Sequence, residues 1–281
     1  MLYMKIIRIL NNNVVSSLDE KNSEIVVMGK GIGFQKKQGE EIEESQIEKI
    51  FRMPHTNASQ FERLVEEMPY EQVKVADEII GYAKDTLGKK LNKNIYITLT
   101  DHLNFALERQ KQGITFQNAL LWEIERFYNI EFQIGCKAIE IIKERLNVEL
   151  TKDEAGFFAL HIVNAEMDIG DMHQAMEMPG IIKDILNIVK YTFGIEIDEN
   201  TLSYERFITH LKFFVQRAVT NQCYPTDDEE FVKSQINKFP QAYGCAVRIK
   251  EYMQKKMQYD TGEEELMYLT MHISRIVRRK L

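Results

Sequence analysis

Three stretches of this chain recur about 110 residues further on, in the same order, and that repetition narrows the folds open to it. "TDHLNFALER" (100–109) aligns with "ITHLKFFVQR" (208–217), "IGCKAIEIIKERL" (134–146) with "YGCAVRIKEYMQK" (243–255), and "TKDEAGFFALHIVNAE" (151–166) with "TGEEELMYLTMHISRI" (261–276). His102 maps to His210 at a shift of 108 residues and His161 to His272 at 111, so a small insertion lies between the pairs. Apolar residues three and four apart mark these stretches as helices with one buried face. The same spacing in "YEQVKVADEIIGYAKDTL" (70–87) and "NALLWEIERFY" (118–128) predicts helices from about residue 60 onward.

The last repeated stretch opens twice with Thr-x-x-Glu, Thr151 with Glu154 and Thr261 with Glu264, the spacing of a capping box. His161 and His272 then lie about three turns into their helices, whereas His102 and His210 open apolar runs near a helix start. All five prolines, Pro54, Pro69, Pro179, Pro225 and Pro240, fall outside the predicted helices, where they can punctuate without breaking them. Pro54 with "HTNAS" marks a first hinge and residues 168–180 a second.

The first forty residues read differently. "KIIRIL", "VVSSL" and "EIVVM" are β-rich runs divided by "NNN" and "DEKNS", and "FQKK" would be a fourth strand after the glycines of "VVMGKGIGFQKK". About four short strands bury little surface and need a partner, for which dimerisation is the expectation. The predicted fold is a multidomain α+β chain. A small antiparallel β-sheet head (1–57) precedes two homologous all-α helical-bundle domains (65–170 and 175–281).

Charge is local in the same way. The chain carries −7 overall, yet residues 1–39 carry a net +3, and Glu40, Glu41, Glu43, Glu44 and Glu48 follow immediately. A basic head on an acidic chain suits one small nucleic-acid module and not wholesale coating. The glycines of 29–33 leave three readings open: a nucleotide loop, a plain turn, or a surface for an anionic partner. A phosphate loop needs GxxxxGK[ST] between strand and helix, which is absent here. Lys30 can meet phosphate, Phe34 offers a stacking face, and Asn11 to Asn13 can reach base edges or 2′-hydroxyls. Those side chains favour RNA.

Cys136, Cys223 and Cys245 are odd in number and lack CxxC spacing, which fits free thiols in a reducing cytoplasm. The one N-terminal apolar run is short and contains a charge, so neither export nor membrane insertion is expected, and Met4, opening "MKIIRI", reads as a natural start. Four of the six histidines occupy equivalent repeat positions. No HExxH or Cys/His cluster suggests a metal, no cofactor motif is present, and no nucleophile context suggests a Ser-His-Asp or Cys-His centre. Imidazole is itself a nucleophile near neutral pH, so modification of these histidines is the sharper reading beside a plain core role. Asp101 and Glu166 lie beside them in sequence and are candidates for orienting the rings.

These motifs, from about Met4 to the C-terminus, resemble the BglG/SacY transcriptional antiterminators. The head "MKIIRILNNNVVSS…EIVVMGKGIGFQKKQGEEI" is similar to that family's co-antiterminator RNA-binding domain, and the repeats resemble its two phosphotransferase-system regulation domains. The resemblance implies a non-enzyme that, as a homodimer, grips an imperfect leader-mRNA hairpin and prevents an overlapping terminator. It implies RNA contacts at Arg8, Asn13, Gly29, Lys30, Gly31 and Phe34, with Asn11 and Asn12 nearby. It implies phosphorylation at His102, His161, His210 and His272, with inhibition by the sugar-specific permease through the first domain and activation by the histidine carrier protein through the second. Many relatives carry arginine at position 30; Lys30 keeps the charge without the planar fork and suits phosphate contact. A DNA-binding activator on the same regulatory domains is the alternative, and it would need a reading helix that residues 1–55 do not predict.

Overall fold

The computed structural model describes residues 4–52, 55–222, 232, 234 and 238–277, with the backbone alone for 55–57. Pro54, Pro225 and Cys223 lie outside the described residues. The chain divides into two compact units, one of residues 1–121 and 128–170, the other of 122–127 and 171–281.

The first unit starts with an antiparallel sheet in the order β1 (Arg8–Asn11), β2 (Val14–Leu18), β3 (Glu24–Met28), β4 (Lys49–Arg52). β2 and β3 coincide with the predicted "VVSSL" and "EIVVM", and Asp19 closes the turn between them by accepting from the amides of Lys21 and Ser23. "FQKK" is not the fourth strand. Gly31 (φ 72°) and Gln35 (φ 56°) curl residues 29–36 into consecutive turns, and the free edge of β3 pairs with Lys49–Arg52 instead.

Strand alternation gives the sheet two apolar faces. On one, Val15, Ile25 and Val27 pack with Met4, Ile6, Ile32 and Ile42; the Ile42 amide donates to the Met4 carbonyl and that of Ile6 to Glu40, so the chain start and the 39–42 segment close this face. On the other, Leu10, Val14, Val26, Met28 and Phe51 meet Phe61 and Val65 of helix α1 (His55–Glu67), with Val73 and Ile97 behind. One face of this small sheet is thus covered by the chain's own helices. "HTNAS" is therefore the first turn of α1 and not an open hinge.

Helices α2 (Tyr70–Leu87), α3 (Ile95–Lys111), α5 (Asn129–Leu146) and α6 (Lys152–Glu166) complete this unit around a core that includes Ile79, Ile80, Leu99, Leu103, Ile142, Phe158 and Ile162. α2 keeps the predicted bounds and ends on Gly88 in the left-handed conformation (φ 61°), the usual glycine stop. The short α4 (Leu121–Phe127) has all but its first residue in the second unit.

That second unit contains α7 (Met172–Phe193), α8 (Leu202–Val219), α9 (Pro240–Met257) and α10 (Glu263–Val277). Three expectations change here. Residues 172–180 are helix and not hinge, started by Asp171 capping the His173 amide. Pro179 is buried inside α7, where the apolar face from Ala175 to Val189 offsets the missing amide bond. His102 and His210 are mid-helix, well past Ile95 and Leu202.

Candidate functional site

Each helical bundle brings its two histidines face to face. The rings of His102 on α3 and His161 on α6 lie 4.8 Å apart by centroid, and those of His210 on α8 and His272 on α10 lie 4.9 Å apart. Residues 59 and 62 apart in sequence therefore meet, as the repeat alone could not show.

A carboxylate and a guanidinium complete both sites. Glu154 places Oε1 2.6 Å from Arg109 Nη2 and Oε2 3.2 Å from His102 Nε2. Glu265 repeats this, with Oε1 2.6 Å from Arg217 Nε and 2.5 Å from its Nη2, and Oε2 3.6 Å from His210 Nε2. Neither imidazole contact has hydrogen-bond geometry: His102 Nε2, Glu154 Oε2, His210 Nε2 and Nδ1, and Glu265 Oε2 are all buried and unbonded.

Glu154 therefore does not serve a capping box. Thr151 caps α6 through its backbone only, and the Thr261 hydroxyl is buried without a hydrogen bond. The true equivalent of Glu154 is Glu265 and not Glu264, at the shift of 111 that relates His161 to His272. Asp101 faces solvent, and Glu166 pairs with Lys89 at 2.5 Å, so neither orients a ring. A usable signal existed: arginine stands seven residues after the first histidine of each pair and glutamate seven before the second. Two helical turns put each on its histidine's face.

Burial holds the His161 ring well below the ordinary imidazole range, with the charge of His102 adding. The His272 ring is lowered to about 4, by burial first and then by His210, Arg275 and Arg206. Both are neutral at physiological pH, the state with a free ring lone pair. Burial alone would raise the Glu265 carboxyl; the facing His210 imidazole and the Arg217 guanidinium outweigh it and hold the carboxyl below its ordinary range. A neutral imidazole can accept an electrophilic group, and the guanidinium fixed on the carboxylate of each site favours one that carries negative charge. Among the described residues, no three His, Cys, Asp or Glu side chains gather as a metal site.

The surroundings differ. Arg109 is sandwiched between the rings of Phe105 and Phe116, 4.5 and 4.4 Å from their centroids. Beside His210 and Arg217 lies a cavity of about 280 Å³ whose walls include Phe213, Gly262, Glu264 and Tyr268.

In the head, the loop after β3 is tied to the β1–β2 turn: the Gly29 amide donates to Asn13 and the Gly33 amide to Asn12. This brings Asn12, Lys30, Gly31 and Phe34 together, with Asn12 and Lys30 exposed and Phe34 57% exposed. The other sequence candidates have internal tasks. Arg8 forms ion pairs with Glu66 and Glu62 of α1. Asn11 donates to the Val65 carbonyl and accepts from the Asn13 amide, and Asn13 accepts from Gly31. A Cβ on Gly29 would lie 1.8 Å from the Gln46 carbonyl oxygen, so packing alone demands glycine there.

Comparison with known proteins gives a consistent set of relatives. Residues 4–60 match the CAT RNA binding domain, and residues 77–165 and 183–276 each match the PRD domain. The transcription antiterminator LicT of Bacillus subtilis is 44% identical over 277 residues, spanning 98% of this chain and 100% of LicT. The beta-glucoside operon antiterminator of Dickeya chrysanthemi is 44% identical over 274 residues, 97% of this chain and 96% of that protein. The crystal structure of GlcT CAT-PRDI aligns with a TM-score of 0.52 at 36% identity, covering 58% of this chain and 98% of that one.

Proposed function

The chain belongs to the BglG/SacY family of transcriptional antiterminators, and on that premise we propose how its parts share the work. The head, residues 1–57, binds an imperfect RNA hairpin in a nascent leader transcript through Lys30, Gly31, Phe34 and Asn12, as part of a homodimer. Holding the hairpin prevents the overlapping terminator. The domains at 65–170 and 175–281 receive phosphoryl groups on His102, His161, His210 and His272 from components of the sugar phosphotransferase system. The permease inhibits through the first and the histidine carrier protein activates through the second. The chain acts in the cytoplasm as a regulator and not as an enzyme; no described helix is long and apolar enough to cross a membrane.

One observation carries the phosphorylation reading: the same histidine pair, glutamate and arginine recur in both bundles. A core requires no such set twice, whereas a regulator with two inputs does. The DNA-binding alternative is disfavoured, because residues 4–52 hold strands and one 3₁₀ turn (Glu44–Gln46) and no α-helix to enter a groove.

A read-through assay on a leader template tests the division of labour. Aspartate at His102 and His161 lowers read-through, and aspartate at His210 and His272 raises it. Unchanged read-through with aspartate at His102 and His161 would refute the inhibitory half.

A further inference from the structure

We propose that Arg109 and Arg217 bind the phosphoryl groups carried by His102 and His210, each releasing the glutamate that fills that position in the unmodified chain. The inference rests on the phosphorylation reading above and assigns the residues that receive the group.

The arginine–glutamate pairs have an unusual geometry for ion pairs within a fold. Arg145 and Glu78, on the surface, form an ordinary fork: Nε and Nη2 each meet a different carboxylate oxygen, both at 3.0 Å. Arg217 instead directs Nε and Nη2 at a single oxygen of Glu265, and Arg109 likewise uses only Oε1 of Glu154. In both sites the second oxygen turns to an imidazole nitrogen without bonding it. Buried polar atoms without partners are uncommon in folded proteins, and here an imidazole Nε2 and the carboxylate Oε2 facing it both lack one at equivalent places in two bundles. Each carboxylate is an internal anion lying between an imidazole nitrogen and a guanidinium. A phosphoryl group on that nitrogen must occupy the same space.

The exchange follows from charge. A phosphoryl group carries roughly −1.5 to −2 at neutral pH and presents three acceptor oxygens, against one negative charge on the carboxylate. The guanidinium fork matches phosphoryl geometry and moves to the stronger anion, while the glutamate is repelled. Glu154 on α6 and Glu265 on α10 are the ties to Arg109 on α3 and Arg217 on α8. The step that secures the phosphoryl group therefore unties the helix pair that carries the histidines, which links modification to a change in packing. At His210 the adjoining cavity of about 280 Å³ gives the incoming group a route.

Transfer balances simply. The imidazole lone pair forms one N–P bond, and the donor's N–P bond breaks with its electron pair returning to the donor nitrogen. With phosphoramidate as donor, ammonia leaves and no other reactant is required.

The full chain, treated with phosphoramidate and followed at neutral pH by site-mapped mass spectrometry and ³¹P NMR, tests the proposal. Arg217→Gln should cut the phosphate retained on His210 roughly tenfold, about the worth of one charge-assisted hydrogen bond. It should also raise the pH midpoint of the phosphoryl ³¹P shift, a readout that a merely structural role would not move. Arg217→Lys should recover part of both. Glu265→Gln, which preserves side-chain shape, should increase phosphate retention. Phosphate on His210 whose lifetime and ³¹P midpoint ignore both Arg217 and Glu265 would overturn the subsite alone. No phosphate on any of the four histidines would overturn the phosphorylation reading and the subsite with it.

Discussion

The Arg8 guanidinium donates from Nη2 to both carboxylate oxygens of Glu66, at 3.2 and 2.9 Å, and its Nη1 lies 3.7 Å from Glu62. A strand of the head is thereby tethered to the helix that covers it, by a side chain that family resemblance marks as an RNA contact. Helix α1 thus holds a positive charge that the resemblance assigns to the RNA.

Glu66→Gln should free Arg8 at little cost to the fold. The pair is exposed, 53% at Arg8 and 38% at Glu66, and exposed ion pairs contribute about 0.2–1 kcal/mol. Thermal melting should stay nearly constant while RNA affinity rises and its salt dependence steepens. Equal affinity for the parent and the variant would show that Arg8 serves only the α1 contact.

Two phenylalanines should behave oppositely. Phe61 is buried against Phe51, ring centroids 5.0 Å apart, and Phe61→Ala should destabilise the first unit by about 3–5 kcal/mol. Phe34 is largely exposed, so Phe34→Ala should change stability by less than about 0.5 kcal/mol. It should weaken RNA binding by roughly 1–3 kcal/mol, the worth of one stacked base. Denaturant melts and binding titrations on the two variants separate scaffold from contact surface.

Acid should loosen the second unit before general carboxylate protonation does. His272 titrates at about 4 in the fold against 6.5 for the free ring, chiefly through burial. The unfolded chain takes up its proton first, so this group leaves stability intact above pH 6.5, erodes it between 6.5 and about 4, and adds nothing further below. Glu265 has the carboxylate behaviour: its contribution is present above the unfolded value of 4.5 and is lost as pH falls through the lower folded value. A pH series of thermal midpoints should show the first decline, and His272→Gln should flatten it.

The sheet, the repeat and the bounds of α2 were legible because each rests on local pattern, β-rich runs bounded by turn residues in β2 and β3 and a buried stripe in α2. β4 was not. "KIFR" has two apolar residues inside a charged stretch, and it is a strand because the open edge of β3 waits for it. The histidines were found by their recurrence. Arg109, Arg217 and Glu265 were missed because a charged helical residue reads as solvated, and Glu154 because a capping box claimed it first. Their meeting across 45 and 48 residues is a tertiary fact, although the seven-residue offsets from the histidines were there to be seen.

The most direct measurement is a gel shift of the full chain with an imperfect RNA hairpin, against a DNA duplex of matching sequence, across a salt series. An RNA-binding antiterminator should bind the RNA alone, with affinity falling as salt rises, and should bind it more weakly in Lys30→Ala and Phe34→Ala. Equal binding to the DNA duplex, or RNA binding indifferent to both substitutions, would contradict it.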